Sequence, residues 1–389
     1  MVFEIFVGVT LGVYGVTSRM FRERNSQDLK TRVALVRSMV ESTDRVAVTA
    51  VSRMLGVFQS FFSGSFDIDL SDTVKIGDQG VPSLKSGMTA LNLNMTQVDH
   101  FTAITKGSVA TIFVRKEDDF IRIATSLKKE DGARALCTAL DRGHPGYQNL
   151  LKGEGYIGKT KLFGKNYMTA YDPIRGRDGE TIGALFVGFD ITEDMKKLSD
   201  AIKAIKIGEN GYIFVINEAE GQNRGSAIIH PSMEAKNILD AKDTEGREFI
   251  KEMIESKEGI TKYPWINKEA GETSPRMITT AFTQYPNWHW LIAAAGYDSE
   301  INREVTAMAN VLGGAGILGS ALLSTTNFLM IARILKPLKR LIAATDRMSE
   351  GDLTVELAYH SRDDQGYPAG SRWCGVFHGR SDEAGVGRG

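Results

Sequence analysis

The stretch GEGYIGKT, Gly153 to Thr160, matches the phosphate-binding pattern G-x-x-x-x-G-K-[ST] letter for letter. In a working phosphate loop, backbone N–H groups at a helix N-terminus hold the phosphates and the lysine reaches them. That chemistry needs a buried strand before the loop and a helix after it. Here HPGYQNLLK, before the loop, reads as a short helix, and KLFGKNYMTAYDPI, after it, reads as strand. The order is reversed. A nucleotide hydrolase is therefore the remote alternative, and the glycines read as a loop and a strand kink. No Ser–His–Asp set or carboxylate pair stands out, so catalysis has no support. The six histidines are scattered without ligand spacing, and Cys137 and Cys374 lie far apart. Neither a metal, another cofactor nor a disulfide framework is expected. A second charge draws notice in FIRIATS, where Arg122 alternates with Ile121 and Ile123 and so shares a strand face with Phe120 and Ala124. A charge at such a position is either solvated or inside a pocket.

The elements that must position these residues begin with a membrane. Residues 305–332 hold no charged side chain. As a helix they reach roughly 40 Å, enough for a bilayer core of about 30 Å. A buried core helix is the competing reading. Arg333, Lys336, Lys339 and Arg340 follow, and Glu300 and Glu304 precede, which puts the C-terminal side in the cytoplasm and the preceding residues outside. The apolar FVGVTLGVYGVTS near the start is short for a span. It reads as a partial first membrane helix over 1–18 whose beginning is missing or mis-started, in preference to a signal peptide, because no basic segment precedes it and no clear cleavage site follows. With 47 basic and 48 acidic residues the chain has no charge that favours nucleic acid.

Between the two apolar segments, residues 25–62 predict one long helix. Leu29, Val33, Val36, Val40, Ala47, Val51 and Leu55 recur at three, four or seven, as in a stalk that pairs with a partner chain or a helix lying on its own domain. Two α+β units follow, over 63–194 and 195–304. Each reads as a strand pair, a short helix and a three-strand meander, a repeat of plan rather than of letters. Asp178-Gly179 marks one hairpin turn.

The run from FVRKEDDF through HPGYQNLLKGEGYIGKT to ALFVGFDIT resembles the membrane-distal module of bacterial tandem Cache sensors of the Cache-3/Cache-2 fusion kind. GYIFVINE, IIHPSMEAKNILDAKDTEGREFIKEMIE and WHWLIAAAGY resemble the second, Cache-2-like module. RILKPLKRLIAATDRMSEGDLTVEL resembles the start of a HAMP linker over 333–365, with Leu338, Leu341, Thr345 and Met348 on a coiled-coil seam. A basic helix lying on lipid is the competing reading. The resemblance implies an α+β fold of a long N-terminal helix beside two PAS-like antiparallel sheets. It also implies a homodimeric chemoreceptor, a transmembrane signal receptor in the bacterial inner membrane. Its modules would be periplasmic or extracellular and its C-terminus cytoplasmic. A chemotaxis kinase and adaptor are the expected partners of an intact homologue; the sensor half of a histidine kinase or cyclase is the alternative. After SRDDQ the HAMP pattern stops, and the Gly- and Arg-rich tail over 366–389 suggests a frameshift or truncation near Gln365.

A sensor pocket of this architecture lies between the sheet and the loops that cap it. A carboxylate ligand, an organic acid or amino acid, needs a cationic fork with Tyr or Thr donors. In the distal module the candidates are Arg122, Thr125, Tyr156, Lys165, Tyr167, Thr169 and Tyr171, with Asp190 for an ammonium group. In the proximal module the weaker candidates are His230, Asn237, Tyr263, Trp265, Arg276 and Trp288. The family's His-Pro pair is often structural.

Overall fold

The computed structural model describes residues 2–268, 271–301 and 303–351. The expected tail and the second half of the HAMP segment lie outside them. Helix α1 runs unbroken from Val2 to Gln59, where two separate helices were expected. It carries Pro nowhere, and its first interior glycines do not interrupt it. The elements that follow are β1 (Phe66–Ile76), β2 (Gln79–Ser86), β3 (Thr89–Ala90), α2 (Thr96–Thr105), β4 (Ser108–Lys116), β5 (Asp119–Thr125), α3 (Pro145–Leu151), β6 (Tyr156–Leu162), β7 (Lys165–Arg175), β8 (Thr181–Asp190) and α4 (Thr192–Ala204). The second unit comprises β9 (Tyr212–Asn217), β10 (Ala227–Ile229), α5 (Phe249–Ser256), β11 (Glu258–Trp265), β12 (Arg276–Tyr285), a single 3-10 turn at Pro286–Trp288, and β13 (Trp290–Tyr297). Helices α6 (Asp298–Ile301) and α7 (Arg303–Ser349) follow.

The two large sheets have the same antiparallel topology. The distal order is β5-β4-β8-β7-β6 and the proximal order β10-β9-β13-β12-β11. In each, the first hairpin lies beside the last strand of the meander. The repeat of plan read from the sequence is thus a repeat of topology. GEGYIGKT lies in the turn into β6 and along that strand, with no helix behind it, so it makes no phosphate cradle.

The apolar stripe of α1 is spent within the chain. Leu29, Val33, Val36 and Val40 are buried against Ile213, Val215, Ile292 and Ala294 of the proximal sheet. Ala47, Val51 and Phe58 are buried against Ile112, Val114, Met168 and Val187 of the distal sheet. Each Leu, Val or Phe so removed from water contributes about 1.5–3 kcal/mol. The helix is the spine on which one face of each sheet packs, the second of the two readings of its periodicity. The face turned away from α1 is left to loops and short helices, and the candidate ligand residues gather there. A small sheet, β1-β2-β3, stands beyond the end of α1. The sequence reading missed it. Its first strand is mostly exposed, so its apolar alternation is interrupted by Asp and Ser.

The segment Asn310–Ser349 of α7 is long and apolar enough to cross a membrane, with mean hydropathy 1.5. Among the described residues no other helix meets that standard.

Candidate functional site

The site starts from a bulge. β4 and β5 pair Ile112 with Ala124 and then Phe113 with Arg122, so one residue of β5, Ile123, is skipped. The skip turns Arg122 and Thr125 to the same face although they are three apart. Ala124, expected beside Arg122, instead joins the α1-side core. On the outer face Arg122 meets Phe113 of β4, with its guanidinium 4.9 Å from the ring centroid. Tyr167, Thr169 and Tyr171 alternate onto this face from β7, and Phe186 joins them from β8. Phe186 and Tyr171 lie 4.9 Å apart, and Tyr171 and Tyr156 of β6 lie 6.2 Å apart.

The lid is the loop between β5 and α3, with α3 itself. Residues 135–140 run along the β5 edge: the Arg122 N–H donates to the Thr138 carbonyl and the Leu140 N–H to Phe120. His144 then caps α3, its Nδ1 accepting the Gly146 N–H at 3.0 Å. Nδ1 is therefore an acceptor, and the neutral ring carries its proton on Nε2. The imidazole lies 5.3 Å from both the Tyr156 and Tyr171 rings. Burial pulls His144 below its usual pKa; Asp141 opposes this and Arg122 adds to it. Burial likewise raises Tyr156 and Tyr171. Both phenols stay protonated donors at neutral pH.

Arg122 is the anomaly. It is 5% exposed. Its Nη1 donates to Thr138 Oγ1 at 2.5 Å, and its Nε has no partner. Among the described residues no carboxylate lies within ion-pair distance of it. Burial pulls its pKa down. A desolvated guanidinium without a counter-ion costs several kcal/mol. Such a group makes physical sense where an anion completes it.

The other distal candidates divide. Thr125 bonds Thr111 Oγ1 at 2.6 Å. Thr169 donates to the Gly158 carbonyl at 2.8 Å. Both line the face but their hydroxyls are committed. Lys165 and Asp190 pair with each other at 3.0 Å at the end of the sheet, and Asp190 also accepts the Thr192 N–H. Neither faces Arg122, because β7 and β8 bring their ends together away from the bulge. His144, Phe113 and Thr138 were missed. A His-Pro pair occurs in both units, but His144 caps α3 whereas His230 directly follows β10, so the pair gave no positional signal for His144.

The proximal candidates brace their own module. His230 is buried, and its Nδ1 accepts the N–H groups of Ser232 at 3.1 Å and Met233 at 3.0 Å. Asn237 ties Arg224 to Leu239. Tyr263 stacks on Phe249 at 4.0 Å and bonds Thr280, and Trp265 lies edge-on to the same Phe249. Arg276 pairs with Glu272 at 3.2 Å and Glu300 at 2.6 Å over the Tyr297 ring. Trp288 donates to Asp44 at 2.8 Å. Arg276, the cation among these candidates, already has its partners.

His230 supports one prediction. Burial lowers its pKa to about 4. The unfolded chain therefore takes up a proton first as pH falls from about 6.5, and stability drops by about 3 kcal/mol by pH 4. Equilibrium unfolding across that window should show the loss. His230→Asn keeps an acceptor for the two N–H groups and should flatten the slope.

A solvent-open cleft lies elsewhere, between the end of α1 and the β7–β8 turn, lined by Phe62, Phe66, Asp172 and Arg175. Its cations are already engaged: Arg175 donates to the Gly153 carbonyl and Arg177 pairs with Asp67. It lacks the buried, partnerless charge.

Comparison with known proteins agrees with this layout. The model of the Cache 3/Cache 2 fusion domain matches residues 16–311, and that of the HAMP domain residues 329–364. The methyl-accepting chemotaxis protein McpB of Bacillus subtilis is 27% identical over 231 residues, 58% of this chain and 31% of its own length. TlpA of the same organism is 26% identical over 263 residues, 65% of this chain and 36% of its own length. The chain thus spans about a third of the length of these curated relatives. Among solved structures, the periplasmic sensory domain of the Campylobacter jejuni chemoreceptor Tlp1 covers 72% of this chain and 98% of its own, at 12% identity and TM-score 0.42. Sensor, apolar helix and HAMP domain, in that order, describe a membrane-anchored receptor with an extracellular sensor. The chain belongs to the Cache 3/Cache 2 fusion domain family and carries a HAMP domain behind its sensor.

Proposed function

We propose that this chain is the sensing and relay part of a chemotaxis receptor, and that its ligand is a small organic acid held on Arg122 in the distal module. The observation that carries the ligand class is the buried guanidinium without a counter-ion, ringed by Tyr156, Tyr171 and His144. A carboxylate would take the free Nε–H in a charge-assisted hydrogen bond. The phenols and the His144 Nε2–H would supply neutral donors. Asp190, the expected acceptor for an ammonium group, is spent on Lys165 and Thr192. This favours an acid without an ammonium group over an amino acid.

The chemotactic output rests on the relatives, which are methyl-accepting chemotaxis proteins. In this reading α1 and α7 both cross the membrane and the C-terminal side is cytoplasmic. The protein works as a homodimer. Leu35, Val46 and Val57 are exposed on α1 at intervals of eleven, a seam free for a second copy. Kinase and adaptor would bind beyond the HAMP domain. The test is a graft of residues 1–364 onto the cytoplasmic signalling part of a chemotaxis receptor. Cells should change swimming bias toward at least one mono- or dicarboxylic acid and lose that response with Arg122→Met. A response confined to amino acids, or one that survives Arg122→Met, contradicts the reading.

A further inference from the structure

Lys159, the lysine of GEGYIGKT, holds no phosphate, yet it is placed with care. Along β6, Tyr156, Gly158 and Thr160 face one way and Ile157, Lys159 and Lys161 the other. Tyr156 stands beside Tyr171 on the face that carries Arg122, the proposed ligand chamber. Lys159 leaves the opposite face and enters the other module. Its Nζ lies 5.3 Å from the Trp288 ring centroid and 5.2 Å from that of Trp290. The two indoles meet edge to face at 4.8 Å. Among the described residues no carboxylate lies within ion-pair distance of the ammonium, so the ring faces hold it. Burial lowers its pKa to about 8, and the charge of Asp44 opposes that shift.

One of the rings, Trp288, is in turn fixed to the spine. Asp44 of α1 is buried and accepts from Trp288 Nε1 at 2.8 Å, Tyr285 OH at 2.7 Å and Asn287 Nδ2 at 3.0 Å. One side chain of the distal module therefore ends on a node shared by the proximal module and α1.

The strand that carries Lys159 lies at an edge of its sheet. β6 is the outermost strand of its sheet and pairs only with β7. Tyr156 lies across Gly158: a Cβ there would sit 2.2 Å from its hydroxyl. Thr169, on the Arg122 face of β7, bonds the Gly158 carbonyl. Anything that displaces Tyr156 or Thr169 acts on the residue next to Lys159.

We propose that β6 transmits occupancy of the distal chamber, with Lys159 as its contact: a ligand that moves Tyr156 shifts the strand and alters the hold of Lys159 on Trp288 and Trp290. This rests on the chamber being the ligand site. A regulatory lysine of this kind reports to α1 and the proximal module together, because Asp44 joins them.

The tryptophans make the test direct. Of the four in the chain, Trp265, Trp288 and Trp290 lie in the proximal module and Trp373 lies beyond the described residues. The full chain, carrying Trp373→Phe and held in lipid nanodiscs, is titrated with pyruvate, followed by calorimetry for binding and by indole emission for the joint. Wild type should bind and change its emission. Lys159→Met should bind within about threefold, since it lies away from the chamber, with the emission change lost, and Lys159→Arg should restore it. An undiminished emission change in Lys159→Met overturns the proposal. A second arm needs no ligand. Gly158→Ala forces Tyr156 aside, and Thr169→Val, which removes the bond to Gly158, serves if that variant does not fold. Either should alter emission when Lys159 is present and leave it unaltered in the Lys159→Met background. If pyruvate does not bind, the ligand reading fails for that acid while this arm still decides the joint: an emission indifferent to both variants overturns it.

Discussion

Arg122→Met should make the ligand-free protein more stable by about 1–3 kcal/mol while removing its ability to bind an organic acid. The two effects share one cause. The guanidinium is 5% exposed, its Nε is partnerless and burial pulls its pKa down. Methionine fills similar space beside Phe113 and Phe120 without a charge to desolvate. For a unit of this size, thermal unfolding should rise by several degrees, at roughly 2–4 °C per kcal/mol. Binding should fall at least about tenfold, because the charge-assisted hydrogen bond from Nε is worth about 1.5–3 kcal/mol. Opposite signs for stability and binding distinguish a ligand anchor from a structural arginine, whose loss would lower both. Arg122→Lys should sit between, since a point charge keeps attraction but not the planar fork.

Asp44→Ala should be the most damaging change on α1. Three donors, from Tyr285, Asn287 and Trp288, converge on its carboxylate between 2.7 and 3.0 Å. Removing it strands all three in a buried place and costs about 3–5 kcal/mol. Thermal melts should fall by roughly 10 °C on the same scale. Asp44→Asn keeps one acceptor but turns an NH₂ toward existing donors, so it should recover only part of the loss. Alanine at the exposed Glu41, one turn earlier, should change little and serves as the control.

Both residues show what a sequence can and cannot disclose. The spine was legible, because Leu29, Val33, Val36, Val40, Ala47 and Val51 hold a helical period over six turns and all are buried. What they pack on was not: a period of three and four serves a partner chain as well as a resident sheet. The meanders were legible from alternation and from turns such as Asp178-Gly179. The β4–β5 bulge was not, because nothing in VATIFVRKEDDFIRIATS marks Ile123 as the skipped residue. Arg122 could therefore be named as a pocket candidate but not given its neighbours. Lys159 was misleading in the opposite way. Its motif suggested phosphate, and only the fold brings it over two tryptophans some 130 residues away in sequence. Asp44 gave no signal, being one more acid on a helix that looks solvated on most of its faces. The small β1-β2-β3 sheet escaped because its first strand buries almost nothing.

The central claim is that Arg122 is completed by an anion. Calorimetric titration of the full chain in nanodiscs with a panel of mono- and dicarboxylic acids and with amino acids, in wild type and in Arg122→Met, tests it most directly. The account predicts saturable binding of at least one carboxylic acid by wild type and none by Arg122→Met, whose unfolding temperature is higher. Binding of that acid undiminished in a folded Arg122→Met, or an unfolding temperature lowered by the substitution, would contradict it.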